Sequence, residues 1–127
     1  MRHPEELKYS TDHEWIKIDG DYAYVGITDF AQSQLGDIVY VDIHTVGNDI
    51  EQFHPFGVAE AVKTVSDLFL PVSGNVIEVN PQLENNPELL NTDPYGVGWI
   101  VKIKFTNLAD FDKLLSSEEY LKLINGN

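Results

Sequence analysis

Turn residues break this chain into short pieces, and their spacing limits the fold more than any other feature. Asp19-Gly20, Gly36, Val46-Gly-Asn-Asp49, Pro71-Val-Ser-Gly74 and Gly98 punctuate it. Gly supplies the positive φ that tight turns need, and Pro cannot donate to a strand ladder. Between these signals lie short runs rich in β-branched and aromatic residues: Trp15-Ile-Lys-Ile18, Asp21-Tyr-Ala-Tyr-Val-Gly-Ile27, Asn75-Val-Ile-Glu-Val79 and Gly98-Trp-Ile-Val-Lys-Ile-Lys-Phe105. They read as strands. In the last run Lys102 and Lys104 fall opposite Val101, Ile103 and Phe105. Asp37 to Ile43 alternates polar and apolar with period two, which predicts one buried face. Helix signals are fewer. Thr28 caps Asp29 to Leu35, with Gly36 as the stop. Asn80 to Thr92 reads as a loop with one or two helical turns. Asn107 caps a helix from Leu108 to Leu115. Ser116 with Glu119 three residues later forms a capping box for a last helix through Tyr120 to Ile124. Short strands with helices mostly at the end predict a mainly β fold, a small barrel or sandwich with accessory helices.

Two stretches echo one another. Gly36-Asp-Ile-Val-Tyr-Val41 and Gly74-Asn-Val-Ile-Glu-Val79 share a Gly, an Asp or Asn, and alternating apolar positions. Such a pair suggests two half-units related by a pseudo-two-fold.

The 127 residues predict a single domain, residues 1–127, with a core large enough to need no staples. There is no cysteine, which excludes disulfides, cysteine-held zinc or iron–sulfur clusters and a thiol nucleophile. Eight Lys and Arg against 21 Asp and Glu leave a formal charge of −13. That charge repels phosphate backbones and anionic lipid, so neither nucleic acid nor a membrane is an expected partner. The longest apolar stretches, such as Leu68-Phe-Leu-Pro-Val72, fall far short of the roughly 18 residues of a spanning helix. Met1-Arg-His-Pro-Glu-Glu6 has no apolar signal core, so a cytoplasmic protein is the expectation.

Conventional catalytic patterns are missing. His13-Glu14 opens like a zinc-protease helix, but position 17 is Lys17 and the run reads as a strand, so no metal site is expected. Tyr95-Gly-Val-Gly-Trp99 lacks the third glycine and the following helix of a dinucleotide site. No Gly-x-Ser-x-Gly elbow occurs. The pattern fits a binding or carrier module.

One lysine stands apart. Between Ile18 and Val101 the only basic residue is Lys63, in a window with thirteen acidic residues. Apolar, β-branched segments flank it, with Pro55 eight residues before and Pro71 eight residues after. Both flanks read as strands, so a hairpin folded near Lys63-Thr64 carries the amine at its tip. A modifying enzyme can reach such an amine without unfolding the core. The plain alternative is an ordinary solvated surface lysine.

Around this lysine the chain resembles a known family. Glu60-Ala-Val-Lys-Thr-Val-Ser-Asp67, followed by Pro71-Val-Ser-Gly74 and Val79-Asn80, is similar to the lipoyl-attachment segment of glycine cleavage system H proteins. His13-Glu-Trp15, Gly26-Ile-Thr-Asp29, Leu35-Gly-Asp37, Val39-Tyr-Val41, Asn91, Asp93-Pro94 and Gly98-Trp99 follow in the family's order along almost the whole chain. The resemblance implies a barrel-sandwich hybrid fold of the lipoyl- and biotinyl-carrier kind. It implies lipoate held as an amide on Lys63, and a carrier with no enzymatic activity of its own. It implies partners: glycine decarboxylase, the tetrahydrofolate-dependent aminomethyltransferase, dihydrolipoyl dehydrogenase and a lipoate-attaching enzyme, served by a monomer. Glu60 is implicated in recognition by the attaching enzyme. Glu14, Ser66 and Asp67 match polar family positions and are candidates for a cleft that shelters the loaded arm. As ordinary surface or turn residues, Glu14 and Asp67 need no such role.

The family's usual Glu-Ser-Val-Lys-Ala is Glu60-Ala-Val-Lys-Thr64 here, and His44-Thr45 replaces a usual Leu-Pro. These changes leave room for a paralogue that relays lipoate to 2-oxoacid dehydrogenase complexes. A biotin carrier has the same architecture but favours methionine on both sides of the lysine, where this chain has Val62 and Thr64. The lipoyl domains of 2-oxoacid dehydrogenases are smaller and lack the His13-Glu-Trp15 and Gly98-Trp99 blocks.

Overall fold

The computed structural model describes residues 2–126. In chain order its elements are β1 (Lys8–Tyr9), β2 (Glu14–Asp19), β3 (Tyr22–Ile27), α1 (Asp29–Leu35), β4 (Ile38–Asp42), β5 (Asp49–Ile50), β6 (Pro55–Ala61), β7 (Val65–Phe69), β8 (Gly74–Val79), α2 (Leu89–Thr92), β9 (Val101–Phe105) and α3 (Ser117–Ile124). Short 3-10 turns lie at Pro81–Leu83 and Leu108–Lys113. The strands form two antiparallel sheets. One has six strands in the order β1-β2-β3-β9-β8-β5, and the other has three in the order β4-β6-β7. The fold is mainly β, and neither sheet closes into a barrel.

The apolar faces of the strands meet in one core. Ile16, Val25 and Ile103 from the large sheet pack in a common cluster with Ile38, Phe56 and Leu68 from the small one. Burying each such side chain is worth about 1.5–3 kcal/mol, so this cluster is the main source of stability. A smaller cluster of Leu7, Tyr9, Trp15 and Tyr120 seats the C-terminal helix against β1 and β2. Gly26 stands opposite Trp15 in the β2–β3 ladder, where a Cβ would meet the indole at 2.7 Å. That close approach lets the large ring lie flat across the strand.

The helix caps follow the local signals. The Thr28 side chain accepts from the Ala31 N–H, and the Gly36 N–H closes α1 on Gln32. Ser116 and Glu119 make the reciprocal capping box of α3. The expected helix from Leu108 to Leu115 is instead a 3-10 turn ending at Lys113. Asn107 still caps it, through the Ala109 N–H. The chain then becomes extended at Leu114, so that Leu115 can bridge Tyr9 of β1 with bonds of 2.9 and 2.7 Å. Two ladder bonds to a sheet edge outcompete another turn of helix.

The alternation expected over Asp37 to Ile43 is also broken. From Ile38 to Tyr40 β4 advances two residues while β6 advances one, from Ala61 to Glu60. Val39 is the extra residue, and both Val39 and Tyr40 are exposed. The echo of this stretch, in β8, bulges at the same place: Val76 to Glu78 stand against Ile103 and Lys102, with Ile77 extra. The two six-residue motifs thus share a backbone irregularity as well as a residue pattern, and each belongs to a different sheet.

Candidate functional site

Strands β6 and β7 form a hairpin, paired from Pro55 with Phe69 to Glu60 with Val65. The Ala61 N–H donates to the Thr64 carbonyl at 2.8 Å, leaving Val62 and Lys63 as the two tip residues. Two-residue hairpin loops usually rely on positive φ at Gly or Asn. Neither Val62 nor Lys63 has it. A tether takes its place: the Val62 N–H donates to the Asp37 carbonyl at 3.0 Å, fastening the tip to the α1–β4 connection.

Lys63 is exposed at this tip. Its stem lies over Gly36, where a Cβ would sit 3.3 Å from the Lys63 Cε and 3.8 Å from Nζ. Gly36 has φ +80 and ψ −157, a conformation essentially reserved for glycine. Asn91 holds this platform. Its amide donates to the Gly36 carbonyl at 2.8 Å and the Gln32 side chain at 3.0 Å, and its oxygen accepts from the Ile38 N–H at 2.9 Å. No carboxylate captures the amine: among the described residues the one acid–base contact within 4 Å is His54 with Glu51, at 3.7 Å.

A cleft of about 320 Å3 opens beside the platform. Ile27, Phe30, Ala31, Leu35 and Leu68 give it an apolar wall. Asp12, His13, Glu14, Ser66 and Asp67 give it a polar one. Leu35 is the residue before Gly36, so the cleft begins one residue from the ground on which the lysine stem rests. The sequence-derived candidates meet here: Glu14 of β2 and the adjacent Ser66 and Asp67 of β7 all line the cleft. Glu60 does not line the cleft; it stands in the row Tyr40–Glu60–Val65 across the three-stranded sheet.

Glu14 is the unusual member, with only 2 % of its surface exposed. Its Oε1 accepts from the Ser10 hydroxyl at 2.8 Å, and Oε2 accepts from the Phe69 N–H at 3.2 Å. Burial pushes its carboxyl well above the usual range, and these two hydrogen bonds offset that in part. Its neighbour His13 sits at φ +70, rare for a residue with a side chain. Its Nδ1 lies 2.7 Å from the Tyr120 hydroxyl, which lies 2.7 Å from the Thr28 hydroxyl. Burial lowers the His13 pKa, against the pull of Asp12. In the sequence His13 stands out as half of an incomplete zinc motif and as part of a family block, Leu35 only as part of such a block, and Asp12 and Phe30 carry no signal as cleft residues. The chain of hydroxyls through α3 that fixes His13 joins residues 107 and 92 positions apart and leaves no local trace.

Among the described residues no three His, Asp or Glu side chains gather into a metal-holding group. None of the described helices is long and apolar enough to cross a membrane.

A family model described as glycine cleavage H-protein matches residues 7–127. A glycine cleavage system H protein of Bacteroides fragilis is 58% identical over 125 residues, covering 98% of this chain and 99% of the relative. One from Carboxydothermus hydrogenoformans is 53% identical over 121 residues, covering 95% and 93%. The crystal structure of a glycine cleavage system H protein from Mycobacterium marinum superposes with a TM-score of 0.87 at 39% identity, covering 98% of this chain and all of that one. Its match carries the two-sheet, barrel-sandwich architecture over that 98% of the chain. With the family's segments in order along the sequence and its fold in space, the chain belongs to the glycine cleavage H-protein family.

Proposed function

We propose that Lys63 bears the lipoyl group through which this chain, as a glycine cleavage H protein, acts as a lipoyl carrier. The observation that carries the proposal is the placement of an exposed lysine on a tethered tip, its stem over Gly36, which adjoins Leu35 of a cleft with an apolar and a polar wall. The residues fit the group. Lys63 is exposed, the Gly36 platform leaves room for the stem, and the apolar wall suits a hydrocarbon arm. When bound, lipoate supplies a dithiolane that opens to carry an aminomethyl group on sulfur and closes again on oxidation.

The chain's own residues present and shelter. The Val62 tether and the Asn91 bonds hold the attachment point still. Ile27, Phe30 and Leu68 exclude water from the apolar side of the cleft, and Glu14, Ser66 and Asp67 offer acceptors on the other. Glu60, three residues before Lys63, is a recognition point for the attaching enzyme. In this reading the partners are glycine decarboxylase, the tetrahydrofolate-dependent aminomethyltransferase and dihydrolipoyl dehydrogenase. The chain itself catalyses none of their reactions and works as a cytoplasmic monomer. Acylation removes a positive charge and makes the chain one unit more acidic, which favours encounter with basic surfaces.

Mass spectrometry of the protein from its native host tests this. The peptide containing Lys63 is expected to carry the lipoyl increment, and Lys63→Arg to abolish glycine decarboxylase exchange while melting like the wild type. Biotin on Lys63, or a bare Lys63 in lipoate-sufficient cells, overturns the reading. A lipoylated protein inactive in the exchange assay points to lipoate relay instead.

A further inference from the structure

The bulge in β4 has no packing duty on the side that faces solvent. It turns out two consecutive apolar side chains, Val39 at 53 % and Tyr40 at 52 % exposure, beside the tip that carries Val62 at 75 % and Val65 at 61 %. Tyr40, Glu60 and Val65 stand in one row across the three strands, on the sheet face away from the buried Ala59. The next row on that face is Asp42–Val58–Asp67, with both aspartates exposed. Exposed apolar side chains therefore flank Glu60 at the lysine end of the sheet, with an acidic margin behind them. Bulges commonly re-aim side chains next to functional sites, and clustered exposed apolar side chains mark contact surfaces.

The molecule supplies its own comparison. The echoing motif in β8 has the same bulge, so the irregularity itself belongs to the architecture. Where β4 has Tyr40, β8 has Glu78. The aromatic occupies only the copy next to Lys63, so the bulge does not require it.

We infer that Val39, Tyr40, Val62 and Val65 form the docking surface for the enzyme that acylates Lys63, which meets them with an apolar patch bordered by basic residues. The inference rests on Lys63 being the attachment point. Reach selects this partner over those that act on the loaded arm. A lysine side chain spans roughly 6 Å from its Cα. An enzyme that forms the amide must bring its reacting carbon to Nζ, and so touches the surface around the tip. Enzymes that act at the far end of the finished arm stand further away. In the acylation the amide bond forms between Nζ and the lipoyl carbonyl carbon as that carbon's bond to an adenylate phosphate oxygen breaks. The adenylate leaves with the electron pair, and Nζ releases a proton. The tether from Val62 to Asp37 holds the tip and the start of β4 in one rigid surface, so little ordering cost falls on binding.

The test uses the full-length, unmodified chain with lipoate, ATP and a purified lipoate–protein ligase, with initial rates measured against carrier concentration. Tyr40→Thr and Val65→Thr place a β-branched strand former at each position while removing apolar surface. Each is expected to raise KM about fivefold or more with kcat nearly unchanged, the signature of a lost docking contact. Ile18→Thr, an exposed apolar position on the other sheet, is expected to leave KM unchanged. Acylation of Lys63 by a small activated ester is expected to run at the same rate in all variants, separating docking from amine access. Val62→Thr, at the unladdered tip, repeats the test if a strand variant melts early. A double variant Tyr40→Thr, Val65→Thr with wild-type KM overturns the inference. So does an unchanged KM accompanied by weaker glycine decarboxylase binding or by the loss of a dimer in sedimentation, which assigns the surface to another occupant. Wild-type protein acylated elsewhere than at Lys63 overturns the attachment reading, a separate outcome.

Discussion

At Gly36 two constraints meet: a backbone conformation that side chains avoid, and the Lys63 stem lying where a Cβ would point. Gly36→Ala is expected to cost about 1–3 kcal/mol from backbone strain, read as a lower denaturation midpoint. It is also expected to slow acylation of Lys63, because the stem must leave its bed. Glu14 makes a different prediction. Its carboxyl holds a proton more tightly when folded than when unfolded, because burial disfavours the charge. Folding therefore takes up a proton in a window that opens at the unfolded chain's ordinary carboxyl value and closes at the raised folded value. The stability linked to Glu14 is full below that window and is lost as pH rises through it. Glu14→Gln, which keeps an acceptor for the Phe69 N–H, is expected to gain on the wild type as pH rises through the window. Thermal melts of both proteins across pH measure the difference; parallel curves would show that folding leaves the proton affinity of Glu14 unchanged.

Between elements, Asn91 is the bolt that joins α2 to the α1–β4 connection. One side chain satisfies the Gly36 carbonyl, the Ile38 N–H and the Gln32 amide oxygen. Asn91→Ala leaves part-buried backbone groups without that partner and is expected to cost about 1–3 kcal/mol. Hydrogen exchange checks it: the Ile38 and Val62 amides are expected to lose protection before those of β3 and β9. Equal loss everywhere would mean that the platform does not open by itself. The C-terminal elements show a similar division of labour. The Ser116–Glu119 box starts α3 locally, but it is the Tyr120 hydroxyl, between His13 and Thr28, that ties the helix to the cleft.

For the whole molecule, charge is the dominant global property. The chain has a formal charge of −13, and its described residues hold no Lys or Arg salt bridge to a carboxylate, only an exposed His54–Glu51 contact at 3.7 Å. Self-repulsion is thus opposed by packing rather than by salt bridges. Added salt is expected to raise the melting temperature from a low-salt baseline, since screening shortens the range of repulsion to about 10 Å at 0.1 M. A fall with salt would mean that unseen attractive pairs dominate. The same screening is expected to slow association with basic partner surfaces, so stability and encounter rate move in opposite directions in one titration.

Local chemistry alone determined the elements whose signals are contained within a few residues. Thr28 and Gly36 delimit α1, Asp19-Gly20 turns β2 into β3, and the flanks of Lys63 make a hairpin, because caps, turns and pleat alternation act over distances the sequence displays. Family order along the chain also carried Glu14, Ser66 and Asp67 to one cleft. What needed the tertiary structure were the features whose partners are remote. The helix after Asn107 gave way to a bridge with Tyr9, the β4 alternation gave way to a bulge against β6, and the lysine tip was fastened to Asp37 instead of closing on a glycine turn. In each case a backbone donor or acceptor found a partner on another element, and that long-range bond outweighed the local preference.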